Sequence, residues 1–504
     1  MNRPASARAE FTPSQLALWT VLILAAASAL AWFSMLRPGI PVEADHVLSK
    51  FYEDGWATGL ARTFEWQGAW RFLGFSLVGL SVNLHPFALP VLSLLTHIAG
   101  VYFFVCTSGR LLGNRRVALG LGVILATLPL GYQVLTWGAI YTVVLSVLVL
   151  WVQLWLMVRY ADRLDKQAGL FLAIALLTLA GALAHEGLLG TALATCAWSW
   201  LRRKPTSLSA ILSDMKTYYV GWAPFVGAAV YVAGYYAFRP DFVVKAPGIF
   251  NPRSLLSVYY HTTSALAVFG AWGSPLMRDL GFDSWTMGAT ALAVALAVVL
   301  AALTAYGLSR IPARDEEPPN LFRAGATISC LLLGTSLIYA IGGGFSPESR
   351  KLYPVCYVMA LAAGFVLVRM SLHRVVRPAV VALVVACCVP TAWLLTGVWC
   401  FEATRHHELA RVLAENDIHS PIELRSDTDP HEAWPYLTKS YGFRLYDPWL
   451  LDYTLGSLFP SHGADLREDA PGNPTVLRYE RRRGWSVLSE ETARPRGSPR
   501  GGPP

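Results

Sequence analysis

Charge is scarce in this chain. Only 15% of its 504 residues are Asp, Glu, Lys or Arg, where a soluble domain carries about 25%. That shortage, beside 54% hydrophobic residues, excludes an ordinary soluble globular fold and points to an integral membrane protein. Acidic residues are the scarcer sign, 33 against 41 basic, which leaves a net charge of +8. A basic balance alone would fit nucleic-acid binding. Here, however, the Lys and Arg fall in short clusters between apolar runs, the pattern of topology-setting charge, and nucleic acid is not an expected partner. Cysteine is also sparse. The seven (106, 196, 330, 356, 387, 388 and 400) lie in or at the ends of apolar runs without CxxC or metal-type spacing, so they read as small buried apolar residues. No internal repeat appears. The first apolar run lacks a small-residue cleavage site and reads as a retained helix rather than a signal peptide.

What is abundant is long hydrophobic sequence. About 20 apolar residues cross a hydrocarbon core of roughly 30 Å. On that rule eleven spans are expected near 15–36, 84–108, 116–134, 139–158, 168–184, 187–201, 218–238, 285–308, 324–342, 352–370 and 378–400. The short pair 168–184 and 187–201, divided by His185-Glu186-Gly187, reads as a tight hairpin or an interrupted helix pair. With a cytoplasmic N-terminus, the inside segments hold 18 basic residues and the outer loops between spans ten, although those outer loops are longer. The positive-inside rule therefore predicts an N-in, C-out topology. Residues 254–276, apolar but interrupted by His261, Thr262 and Thr263, are expected to be re-entrant or interfacial rather than spanning.

The fold expected is an α-helical polytopic membrane protein of about eleven transmembrane helices with a small C-terminal α/β domain outside the membrane. Residues 1–14 form a cytoplasmic N-terminus, and 15–400 the transmembrane domain. Its first outer loop, 37–83, ends in an apolar stretch (72–83) too short to cross and suited to one or two interfacial helices. Residues 401–492 combine a helical stretch, FEATRHHELARVLAEN, with strand-like pieces SPIELRSD, TVLRYERR and WSVL. No glycine-rich phosphate loop or nucleophile elbow occurs there. The tail, 493–504, is Pro/Gly/Arg-rich and expected to be disordered.

The candidate chemistry gathers on the expected outer face. Glu43 and Asp45 stand two residues apart just beyond the first span, and Trp66-Gln67-Gly68-Ala69-Trp70-Arg71 follows before the chain re-enters lipid. His185 and Glu186 lie between two apolar helices, and Arg350 and Lys351 precede the tenth span. A charge near the bilayer calls for a partner or a function. Each feature also has a plainer explanation: a solvated acidic loop, a polar interfacial turn, or basic flanks that snorkel. Trp56, Trp66 and Trp70 either stack on sugar rings or anchor the loop.

An acidic pair in the first outer loop, here Glu-Ala-Asp, followed about 25 residues later by Trp-x-Gly-x-x-Arg and an apolar helix, resembles the GT-C superfamily of polytopic glycosyltransferases. Within it the chain is most similar to the GtrII-like glucosyltransferases and the bacterial set related to the Rgt and aminoarabinose transferases. It departs from the GtrII-like pattern in having Glu-Ala-Asp in place of Asp-Asp, and in spreading Gly-Arg into Gly68-Ala69-Trp70-Arg71. The resemblance implies inverting transfer of a sugar from a polyprenyl-phosphate donor to a glycan, lipid or protein acceptor at the outer face of a bacterial inner membrane. In it Asp45 is the general base, assisted by Glu43, and the two carboxylates are the residues for a divalent cation, Mg or Mn, where one is used. Arg71, Arg350 and Lys351 contact the lipid phosphate, and His185, Glu186, Trp66 and Trp70 line the pocket. Two other classes compete: a transporter or flippase of lipid-linked saccharide, and a non-catalytic scaffold of envelope polysaccharide assembly.

Overall fold

The computed structural model describes residues 12–36, 55–62, 71–85, 87–131, 134–135, 140–160, 168–201, 219–237, 283–311, 321–341, 349–370, 379–393, 411–413, 415–416, 422–426, 475–480 and 484–487. Two compact units are distinguished: residues 1–38 with 50–397, and residues 39–49 with 398–504.

The first unit is helical. Among the described residues its α-helices are α1 (Pro13–Trp32), α2 (55–62), α3 (Phe72–Leu84), α4 (Ala88–Leu111), α5 (Arg115–Thr127), α6 (Tyr141–Arg159), α7 (Ala168–Ala184), α8 (Leu189–Leu201), α9 (Ala223–Ala237), α10 (Asp283–Arg310), α11 (Leu321–Ile341), α12 (Ser349–Arg369) and α13 (Ala379–Trp393). Each of the eleven apolar runs read from the sequence overlaps one of these helices, and α2 and α3 fall in or at the end of the expected first loop. Four are long and apolar enough to cross a membrane: α1, α4, α6 and the Leu352–Arg369 part of α12. The chain is an α-helical membrane protein. Residues 254–276 lie outside the described residues.

Local chemistry sets the helix ends. α1 begins with Thr12 and Gln15 bonding reciprocally to each other's backbone N–H groups, with Pro13 at the first helical position. Asn114 caps α5 by accepting from Val117 N at 3.0 Å. α5 is shorter than the run 116–134 implied, and the cause is Pro129. The residue before a proline is steered out of the α region, and Leu128 accordingly turns extended at ψ 120° before a short 3-10 turn, Pro129–Gly131. Pro354 lies inside α12, where it has no N–H to give the carbonyl of Arg350 one turn back.

α4 is the central helix of this unit, packed against α5, α6 and α1. Its Phe104 meets Trp151 of α6 edge-on at 4.9 Å and Tyr357 of α12 at 5.7 Å. Trp151, Tyr357 and Phe104 are fully buried. Small residues set how closely backbones approach, as expected where lipid removes the hydrophobic drive between helices. Gly227 of α9 lies so near the Ala175 carbonyl of α7 that a methyl group there has no room. α9 touches both α7 and α8, while α8 packs mainly on α11. Gln153 of α6 donates to Thr195 of α8 and accepts from Thr178 of α7, so the chain folds back at His185-Glu186 and the two short helices run as a pair, with α9 against both.

In the second unit, β1 (Ile422–Ser426), β2 (Thr475–Glu480) and β3 (Gly484–Val487) form one sheet in that order. The strands coincide with the three strand-like pieces read from the sequence. β1 and β2 run parallel, Leu424 beside Leu477, and β3 returns antiparallel with Val487 opposite Leu477. Leu477 is fully buried, and so is Leu413 of the helical turn that precedes the sheet.

Candidate functional site

The site builds on a close approach. Gly74, in the first turn of α3, faces the C-terminal end of α7 and the start of α6. A Cβ on it would stand 2.5 Å from Thr142 Cγ2 and 2.8 Å from the Ala184 carbonyl oxygen. Only glycine lets α3 lie this close. One residue before α3 is Arg71, and two after Ala184 is Glu186, so the same contact brings these two side chains together.

They meet as a bidentate ion pair. Arg71 Nε donates to Glu186 Oε2 at 2.7 Å, and Arg71 Nη2 donates to Glu186 Oε1 at 2.5 Å. The side chains are 20% and 28% exposed. Burial works against the Glu186 charge, but the Arg71 guanidinium and its two hydrogen bonds outweigh it and hold the carboxyl at about 2, below the usual 4.5. Two of the five guanidinium N–H donors face Glu186, and the planar fork fixes where the other three point.

His185 shapes the turn. Its backbone is extended, and its Nδ1 accepts from Gly187 N at 3.0 Å, capping the 3-10 turn Glu186–Leu188. Trp56 of α2 donates its indole N–H to the Ser76 carbonyl of α3 at 3.1 Å. That bond ties α2 to α3.

The other residues named from the sequence stand as follows. Glu43, Asp45, Trp66 and Trp70 lie outside the described residues. Arg350 and Lys351 occupy the opening turn of α12, and their side chains too lie outside the description. Among the described residues no group of three or more His, Cys, Asp and Glu side chains gathers to hold a metal ion. Glu43 and Asp45, the carboxylates named for a divalent cation, are not among them.

A second polar constellation was missed from the sequence. His97 of α4 is 1% exposed. Its Nδ1 lies 2.7 Å from the Tyr353 hydroxyl and its Nε2 3.4 Å from the Ala126 carbonyl, while Tyr353 and Tyr357 of α12 share a 3.0 Å hydroxyl contact. Since a carbonyl only accepts, Nε2 carries the proton and Nδ1 accepts from Tyr353. The signal was one histidine inside an apolar span.

No protein-family model, curated protein or solved structure matches the chain.

Proposed function

We propose that the chain is an inverting glycosyltransferase of GT-C type. It would transfer a sugar from a polyprenyl-phosphate donor to a cell-envelope glycan, lipid or protein acceptor at the outer face of a bacterial inner membrane. The observation that carries this reading is the Arg71–Glu186 pair. Two residues 115 positions apart, both selected from the sequence as substrate-binding, share one site at the end of the first loop. A guanidinium held rigidly at the end of apolar helices suits the phosphate of a lipid-borne donor, which reaches a protein by diffusing in the leaflet.

In this mechanism Asp45 accepts the proton of the acceptor hydroxyl, whose oxygen attacks the anomeric carbon. The bond to the lipid phosphate breaks, and its electron pair leaves with the phosphate. Arg71, Arg350 and Lys351 stabilise the charge that accumulates there. A single displacement inverts the anomeric centre. Glu186 positions Arg71, and His185 holds the turn that carries Glu186.

The eleven-span, N-in, C-out arrangement with an outer C-terminal domain belongs to the same proposal. What supports it is which helix ends meet. Trp32 at the end of α1 bonds the Ala126 carbonyl near the end of α5, and Trp393 at the end of α13 bonds the Leu30 carbonyl. Arg116 at the start of α5 bonds the Ile311 carbonyl just past α10. All three pairings join ends that the alternation puts on one side.

The His97–Tyr353–Tyr357 chain favours a second reading, a transporter of lipid-linked saccharide, because intramembrane ionisable groups mark such pathways. It ranks behind because each of these polar groups is already engaged, His97 with Tyr353 between two helices and Tyr353 with Tyr357 within α12.

The test is Asp45→Asn in purified protein given a polyprenyl-phosphate sugar and an envelope acceptor fraction, reading released polyprenyl phosphate. Removing a general base lowers the rate on the order of 10²–10⁴-fold, while membrane yield stays at the wild-type level. A rate near wild type would remove the catalytic assignment. Vectorial movement of lipid-linked sugar without its transfer would replace the enzyme by the transporter.

A further inference from the structure

The end of the bundle away from the Arg71–Glu186 pair carries a different charged constellation. α4 and α6 each finish with an arginine in the last turn, Arg110 and Arg159, and α5 opens on Arg115. Charge on the inner side of a membrane protein is ordinary, but the convergence of these three side chains is a matter of packing. α4 lies against both α5 and α6. The stem of Arg115 rests over Gly109, where a Cβ would lie 3.4 Å from Arg115 Cγ. Trp155 of α6 meets Phe103 of α4 edge-on at 5.4 Å, and the Arg159 guanidinium lies 4.9 Å from the Trp155 ring centre and 5.5 Å from that of Tyr160.

This charge has no described counterpart. Among the described residues no carboxylate pairs with Arg110, Arg115 or Arg159, and all three are exposed. The C-termini of α4 and α6 favour a cation, whereas the N-terminus of α5 already carries partial positive charge, so Arg115 adds to a like sign there. An anion would relieve that repulsion. α4 and α6 are long and apolar enough to cross a membrane, and this puts their terminal arginines at headgroup depth. Trp155 and Tyr160 beside them are the residue types that settle at that level.

We infer that Arg110, Arg115 and Arg159 form a clamp for the phosphate of an anionic phospholipid in the leaflet at this end of the bundle, with Trp155 and Tyr160 at its apolar edge. The clamp uses none of the residues assigned to sugar transfer and does not depend on that assignment.

The experiment uses the full chain in nanodiscs of phosphatidylcholine with graded phosphatidylglycerol. It reads the apparent lipid affinity from thermal shift, and lipid retention by native mass spectrometry. Each arginine at a membrane surface contributes about 1 kcal/mol, or about fivefold. R159Q should therefore weaken phosphatidylglycerol binding about fivefold, and R110Q/R115Q/R159Q about a hundredfold, with phosphatidylcholine retention unchanged. Wild-type affinity in the triple variant would overturn the clamp. So would equal retention of the two lipids, or displacement of phosphatidylglycerol by inorganic phosphate at matching concentration, which would identify a soluble-anion site instead. Should the triple variant fail to fold, R110Q and R159Q singly carry the test, and unchanged affinity in both would overturn it.

Discussion

The Arg71–Glu186 pair allows a quantitative test. A carboxyl held at about 2 instead of 4.5 corresponds to about 3 kcal/mol at full strength. Because 20% of one side chain and 28% of the other face solvent, screening reduces this, and a coupling energy of about 1–2 kcal/mol is expected. A double-mutant cycle with Arg71→Leu and Glu186→Leu, read by SDS titration in mixed micelles, measures it. Each single change should cost more than half the double, since either one leaves a charge without its partner. Arg71→Lys should recover only part, because an ammonium cannot reproduce the two parallel N–H bonds. Proton linkage gives a second readout. Glu186 binds its proton less readily in the folded chain than in the unfolded one, so its contribution is complete above about pH 4.5. It is lost as the pH falls through the folded value of about 2. Glu186→Gln should flatten that acid limb. A coupling below about 0.5 kcal/mol, or an acid limb that survives Glu186→Gln, would refute the reasoning and leave the pair a surface contact.

Gly74→Ala places a methyl 2.8 Å from the Ala184 carbonyl oxygen and should destabilise the protein by about 1–3 kcal/mol; Thr142→Ser should rescue it only in part, since the carbonyl remains, and a neutral Gly74→Ala would contradict the close approach. Tyr353→Phe leaves the buried His97 Nδ1 without its donor and should cost about 1–3 kcal/mol in the same titration, whereas no change would mean that the hydroxyl is satisfied otherwise. Cysteine labelling should find Ala61 and Asp452 outside and Arg203 and Glu316 inside; a cytoplasmic Asp452 would make 254–276 a true span and remove the outer domain.

The helices were legible in the sequence because the length and apolarity that a bilayer demands are local properties, readable without knowing any contact. The three strands were legible for a similar reason: short β-rich pieces between Pro, Gly and Asp advertise themselves. Helix ends were less so where a single residue decides, as Pro129 does in cutting α5 short. Alternating topology put Arg71 and Glu186 on one side of the membrane, yet no spacing rule joins residues 115 positions apart. Their pairing waited on Gly74, whose missing side chain matters only once α3 is laid against α6 and α7. His97 is the sharper case. One histidine in an apolar run has little weight in a composition count, and its importance arises from Tyr353 and Tyr357, 256 and 260 residues along the chain and one turn apart on α12. Local chemistry thus determined what kind of protein this is and where its helices run. Which polar groups meet was decided by packing, because a contact between distant segments depends on the surfaces that both present.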